Sequence, residues 1–420
     1  MSAPTRIRHE ALWMFLGQMA VALSQWGILA FGAKQVGPEM LGRYGLAAAI
    51  LGPVALLSSM NLRSLLTTDV ESRWRFVDYL RLRMAGIAAA TGASLLLTPL
   101  VSRDPIVWVI VAILLVQKGL EGASELHYGL FQRAHQAPLI GRSLLGRAVL
   151  ALLAFAVILG ITDSFVAALG AQTIACAALA WGHDRPQAVR MGLREARVAD
   201  VGKLQADDRA RVRELLRLAL PYSLLSLAPA LMAAFPRWLL GRVDLGALGY
   251  FTVLIYAPTA LSLMMTALGQ VLAPRLARGW VARDVRALRA LLVRGAAVAA
   301  VLGAAAVLAV VLVGVPVVAW LYTPDYAIYN DELLLLTVAG CLQMISTTAG
   351  FALSAWRRIV DKRRQAVALI VGNIVLSGVL VPDHGFTGAC WAVLLTAAAH
   401  CASNWWLVRR ALRTLAAPAP

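Results

Sequence analysis

The chain has 420 residues, of which 60% are apolar and only 15% charged, and its mean hydropathy is +0.73. A soluble domain cannot hide that much apolar surface, since roughly 45–50% apolar is already typical. The formal charge of +17 invites a nucleic-acid reading, but the basic residues fall in bursts between apolar runs and build no continuous basic face, which excludes nucleic acid as a partner.

In chain order, the apolar runs predict spans of ~20 residues, the length that crosses the hydrocarbon core. They fall at about 11–33, 43–66, 84–101, 106–131, 143–160, 164–182, 218–241, 248–271, 290–313, 332–355, 366–382 and 386–408. The first run carries Ala20-Val21-Ala22, which resembles a cleavage site. Gly17-Gln18 interrupts the stretch before it and apolar sequence continues to Ala33, so it reads as a spanning helix. Between spans two and three, the mixed aromatic and basic segment from Trp74 to Arg83 reads as a helix lying along the inner membrane surface.

The connections alternate between basic and nearly uncharged. With the N-terminus inside, 33 Lys and Arg lie on the inner side and five (Lys34, Arg43, Arg103, Arg237 and Arg242) on the outer side. The excess of basic residues in inner loops then places both termini in the cytoplasm. One long charged inner connection divides the spans six and six, giving an N-terminal lobe 1–182, a linker 183–217 and a C-terminal lobe 218–420.

The halves echo each other. Leu41-Gly42-Arg43-Tyr44 before Gly52-Pro53 is matched by Leu248-Gly249-Tyr250-Phe251 before Ala257-Pro258. An even number of spans per half gives both the same orientation, related by a pseudo-two-fold along the membrane normal. The expected fold class is therefore all-α integral membrane, with about twelve spans in two six-helix lobes.

Charge inside spans is the strongest functional signal. Lys118, Glu121 and Glu125 follow i, i+3, i+7 spacing and share one face of span four. At mid-helix each costs ~2.5–3.5 kcal/mol against lipid even on a lenient scale. Two readings stand: a stripe that lines a wet cavity, or local pairing of Lys118 with Glu121 while Glu125 reaches the inner surface. Arg63, Arg147 and Arg237 are further candidates. For Arg63 and Arg147, snorkelling to the interface competes with function. For Arg237, the neighbouring Pro236 is expected to disrupt the helix and free carbonyls that arginine can hold.

Gly202-Lys203 lacks the rest of a phosphate-binding loop, and no Ser/His/Asp spacing or metal motif is present. Cys176, Cys341, Cys390 and Cys401 all sit in apolar runs. No cofactor is implied, and no residue pattern names a coupling ion.

Several segments together resemble the oligosaccharide flippases of bacterial polysaccharide biosynthesis, a branch of the superfamily that includes the multidrug and toxin extruders. They are Asp78-Tyr79-Leu80-Arg81-Leu82-Arg83, Lys118-Gly119-Leu120-Glu121 with Ser124-Glu125, Tyr128-Gly129-Leu130-Phe131-Gln132, Pro236-Arg237-Trp238, Ala273-Pro274-Arg275-Leu276, Leu321-Tyr322 with Tyr326, and Gly385-Phe386-Thr387-Gly388-Ala389. Gly119 stands where a bulkier residue is expected. The resemblance covers nearly the whole chain. It implies two lobes around a central cavity, alternating access, and an isoprenoid-pyrophosphate-linked oligosaccharide turned from inner to outer leaflet. A polysaccharide polymerase and glycosyltransferases would be partners in that pathway, alongside membrane lipids. Such a transporter is not an enzyme. The competing readings are a cation-coupled multidrug or small-molecule exporter of the same fold and, from another class, a membrane glycan polymerase or acyltransferase.

Overall fold

The computed structural model describes residues 3–69, 73–190 and 206–416, and the described residues form helices joined by short turns. The middle of the expected linker, 191–205, and the C-terminal 417–420 lie outside the described residues. With no water in the hydrocarbon core to satisfy backbone groups, helices are the expected solution for so apolar a chain.

Helices α1 (Ala3–Gln35) and α2 (Gly37–Ser59) lead to α3 (Leu62–Thr68) across Met60 and Asn61. Both of those residues are left-handed, with φ of 49° and 48°, which breaks the second span into two pieces. Then follow α4 (Phe76–Val101), α5 (Pro105–Arg133), α6 (Ala137–Thr162) and α7 (Phe165–Leu179). The last runs through a wide π turn, Ala180–Asp184, into α8 (Arg185–Arg190). Helix α9 (Ala206–Val243) is followed by α10 (Leu245–Leu254), α11 (Tyr256–Val281), α12 (Val285–Leu321), a short α13 (Pro324–Ala327), α14 (Asn330–Ala355) and α15 (Ile359–Ala416).

Among the described residues, nine of these stretches are long and apolar enough to cross a membrane. The expected spans account for the rest: α9 and α10–α11 occupy the seventh and eighth, and α15 is two helices. Its two limbs meet at Gly385, with φ 54° and ψ −124°, a conformation open to glycine because it lacks Cβ. A Cβ on Gly388 would stand 2.0 Å from the Leu380 carbonyl oxygen, so the returning limb is held against the outgoing one. About twelve spans are therefore present, as composition predicts.

The chain packs as two compact units, Met1–Ala234 and Phe235–Pro420. Sequence places the division at 183–217, whereas packing places it inside α9. The first part of α9 joins the first unit: Leu215 and Ala219 are buried in a cluster with Leu62, Tyr79 and Leu126. Arg73 pairs with Glu214, and Arg211 Nε lies 3.4 Å from Asp78 Oδ2.

Two local expectations are corrected. The segment around Trp74–Arg83 does not form a separate surface helix. Phe76 opens α4 and runs unbroken into the third span, with Phe76 to Arg83 buried throughout. Counter-charges make this tolerable, because Asp78 takes the Arg75 amide at 3.1 Å and lies 3.7 Å from Arg81. Nor does Pro236 break its helix, since α9 is continuous from Ala206 to Val243. Proline is accommodated inside membrane helices when neighbours re-satisfy the freed carbonyl.

At the opposite end of α4 and α5, Asp104 caps α5 by accepting from the Ile106 amide at 2.8 Å, and Arg43 of α2 donates to it at 2.6 Å. Burial pushes the Asp104 carboxyl up. The Arg43 hydrogen bond and charge and the backbone donors outweigh that, holding it below the usual carboxylate range.

Candidate functional site

Within the first unit, α2, α4 and α5 enclose a cavity of about 280 Å³. The wall from α5 carries Lys118, Glu121 and Glu125, at the helical spacing read from sequence, with Gly119 and Gly122 between them. The α2 wall is mostly apolar, ending at Ser58 and Ser59, and α4 contributes Arg83, Ile87 and Ala90. The stripe therefore faces a cavity.

Both local pairing and cavity lining are realised at once. Lys118 Nζ donates to Glu121 Oε2 at 2.7 Å, and Gln117 Nε2 donates to Glu121 Oε1 at 3.3 Å. Glu125 does not simply reach the surface, because Arg83 of α4 donates to its Oε2 at 3.1 Å. Arg83 is nearly inaccessible, 3% exposed, while the Glu125 side chain is 47% exposed. Every ionised group on the cavity wall thus has an opposite charge in contact. Each pair spans the cavity wall rather than lipid, as the cost of bare charge in hydrocarbon demands.

Arg147 and Arg63 are not among the residues that line this cavity. They lie on the neighbouring flank of α5. Arg147 of α6 donates to Ser124 Oγ at 2.8 Å and lies 3.6 Å from Asp184 Oδ2. The Tyr128 and Ser143 hydroxyls are 2.7 Å apart, and Tyr128 also reaches Asp184 at 3.5 Å. Asp184 is fully buried and is turned inward by the π turn, a local widening often found at functional places. Arg63, on α3 beyond the left-handed break, donates to Gln132 at 3.3 Å and sits 5.7 Å over the Tyr128 ring. The structure therefore brings five of these groups into two adjacent clusters on α5: the cavity stripe with Arg83, and the Arg147–Tyr128–Arg63 flank. Arg237 lies in the second unit, partly buried on α9.

Arg83 and Asp184 were not among the sequence candidates. Arg83 ended the segment read as a surface helix, one residue before the expected third span. For Arg83 a signal was present, since an arginine at a span entrance needs a partner; Asp184 faces inward only through the π turn.

Chemically, the cavity presents one ammonium and one guanidinium held extended by carboxylates, beside small residues that leave room. The two cations and two carboxylates balance in charge, and the rest of the wall is mostly apolar. Among the described residues no cluster of His, Cys, Asp or Glu has metal-binding form.

No known family profile matches the sequence. The capsular polysaccharide biosynthesis protein CapF of Staphylococcus aureus is 20% identical over 400 residues, covering 95% of this chain and 98% of that protein. Among solved structures, the lipid II flippase MurJ in an inward closed conformation superimposes with a TM-score of 0.70 at 13% identity, covering 95% of this chain and 89% of MurJ. An inward-facing multidrug resistance MATE family transporter of the MOP superfamily gives a TM-score of 0.69 at 13% identity, covering 96% and 98% of the two chains. The chain is a multi-pass integral membrane protein with the fold shared by the MATE transporters of the MOP superfamily and the lipid II flippase MurJ.

Proposed function

We propose that this protein is an alternating-access flippase that carries a lipid-pyrophosphate-linked oligosaccharide from the inner to the outer leaflet of the bacterial cytoplasmic membrane, for polysaccharide biosynthesis. The observation that carries this reading is the pairing on the cavity wall, Lys118 with Glu121 and Arg83 with Glu125. A pyrophosphate and its sugars cannot cross hydrocarbon unaided. A cationic, hydrated cavity must replace their water while the lipid tail stays outside. Guanidinium offers phosphate a planar donor fork, and ammonium offers a point charge.

In the resting wall Glu121 and Glu125 hold both cations extended. An arriving pyrophosphate exchanges with these carboxylates, so binding is a swap of partners rather than a new burial of charge. Such a swap limits net affinity and permits release on the far side. Arg147 and Arg63, already engaged with Asp184, Ser124 and Gln132, support the helices around the cavity. Arg237 is assigned to substrate contact during outward release. The curated relative's role in capsular polysaccharide biosynthesis supports the substrate class.

The MATE-type fold favours a second reading, a cation-coupled exporter of small molecules. That activity needs a carboxylate open to a cationic drug or a coupling cation; Glu125, 47% exposed, is the acid it would use, and Glu121 is held by Lys118 and Gln117.

The test is reconstitution into vesicles that hold a fluorescent isoprenoid-pyrophosphate oligosaccharide in one leaflet, with accessibility of the label followed over time. The flippase reading expects translocation by the wild type and its loss in Lys118→Gln at unchanged folded yield. Absence of translocation, together with extrusion of cationic dyes, would establish the exporter instead.

A further inference from the structure

The second unit concentrates charge of a different kind. At one of its ends α11 finishes, α12 begins, α14 turns into α15, and α15 finishes. These four places meet around one apolar cluster that includes Leu276, Leu288, Leu353, Trp356, Val408 and Leu412. The segments ringing it, 275–294, 357–364 and 409–413, hold fourteen Lys and Arg against two acids. Twelve of the fourteen are exposed arginines. The two acids are engaged locally: Asp284 accepts from the Ala287 amide at 2.9 Å, capping α12, and Asp361 lies 3.7 Å from Arg358. In the first unit Arg83, Arg147 and Arg73 are each held by a carboxylate, while arginines such as Arg142, Arg185 and Arg190 are exposed.

Two further features separate this face from a generic excess of basic residues. Trp280 and Trp356 stack with centroids 4.5 Å apart and planes 23° from parallel, and the Arg358 guanidinium lies 5.9 Å over Trp280. Beside each indole, a helix ends on an arginine in the left-handed conformation: Arg283 with φ 53° and Arg357 with φ 55°. Both turns carry the paired closing bonds of the motif that ordinarily takes glycine, Arg283 N to Trp280 O with Asp284 N to Gly279 O, and Arg357 N to Ser354 O with Arg358 N to Leu353 O. Four other described non-glycine residues share the conformation, and His135 closes α5 with the same bonds; these two turns differ in that both adjoin one indole stack and both place an exposed arginine there.

We propose that this face is a docking surface for anionic phospholipid headgroups, centred on the Trp280–Trp356 stack and on Arg283 and Arg357. Charge complementarity selects the occupant. A phosphodiester accepts from arginine's paired donors, and exposed arginines at a membrane surface attract anionic lipid. Trp356 is buried and donates to the Leu276 carbonyl, so it anchors the partly exposed Trp280 at the level where headgroups meet acyl chains. The site is separate from the cavity of the first unit and does not depend on what that cavity carries.

Native mass spectrometry of the full-length protein, released from nanodiscs with rising phosphatidylglycerol in phosphatidylcholine, counts the retained lipids directly. The wild type is expected to retain phosphatidylglycerol preferentially. The variant Arg283→Gly/Arg357→Gly is expected to weaken that retention by about fivefold per arginine. Glycine relaxes both turns, so the variant's thermal stability is expected to be equal or higher, which separates lost lipid from lost fold. Equal retention of the two lipids by the wild type would overturn the proposal, as would unchanged selectivity in the variant. Displacement of phosphatidylglycerol by an isoprenoid pyrophosphate at equal concentration would assign the face to the transported lipid and also overturn it.

Discussion

Replacing Glu125 with alanine removes the carboxylate 3.1 Å from the Arg83 guanidinium and leaves that cation on a side chain only 3% exposed. At this 3.1 Å separation the pair attracts by about 5 kcal/mol at an effective dielectric near 20. Breaking a buried pair by removing one partner commonly costs about 3–5 kcal/mol. Arg83 Nε is already buried without a hydrogen-bond acceptor, so little nearby can compensate, and Glu125→Ala is expected in that range. The reverse change differs. Arg83→Ala leaves a carboxylate whose side chain is 47% exposed, so water in the cavity can solvate it, and the expected electrostatic cost falls to about 1 kcal/mol. The double variant should recover stability relative to Glu125→Ala, because neither charge remains. Thermal unfolding of all four proteins, purified in one detergent, closes a double-mutant cycle. The reasoning fails if Arg83→Ala is the more damaging single change, or if the coupling is below about 0.5 kcal/mol.

Three further outcomes follow from other parts of the molecule. Arg237→Lys is expected to leave folded yield intact and reduce transport, with Arg237→Gln worse because it removes both fork and charge; lipid-linked sugar transport and folded yield on the same samples check this, and normal transport per folded molecule in both variants removes Arg237 from substrate contact. Asp104 has a folded value held below its unfolded value of about 3.8, so its contribution is complete above the unfolded value and is lost as pH falls through the lower folded one. Unfolding curves from about pH 6 to about pH 2 should therefore show Asp104→Asn less stable at the upper end and less acid-sensitive than wild type. Gly388→Ala places a methyl 2.0 Å from the Leu380 carbonyl oxygen, a backbone atom that cannot turn aside, and should cost about 1–3 kcal/mol, whereas Gly372→Ala, with nothing within 4 Å, should be tolerated; thermal unfolding separates the two.

What was legible in the sequence was what local spacing and composition control. Apolar length located the spans, and the i, i+3 offset of Lys118 and Glu121 implied a contact that the structure makes at 2.7 Å. What was not legible depends on residues far apart in sequence. Arg83 meets Glu125 across 42 positions. Arg147 meets Asp184 only because a π turn rotates the end of the sixth span, and nothing in Ala180-Trp181-Gly182-His183-Asp184 announces that turn. The Trp74–Arg83 segment misled for the same reason. Its arginines look destined for a surface until Asp78 and Glu125 are seen beside them. At Pro236 the local rule for a proline break was overridden, and α9 continues through it.

The measurement that bears most directly on the central claim is leaflet-to-leaflet movement of a lipid-pyrophosphate oligosaccharide in vesicles containing only this protein, compared between wild type, Lys118→Gln and Glu125→Gln. The account expects transport by the wild type and a fall of about tenfold or more in Lys118→Gln, corresponding to loss of one charge-assisted contact of roughly 1.5–3 kcal/mol. It expects Glu125→Gln, which keeps an oxygen for Arg83, to bind the substrate at least as tightly while releasing it more slowly. Wild-type rates in all three proteins, or no movement of the lipid-linked sugar by the folded wild type, would contradict the account.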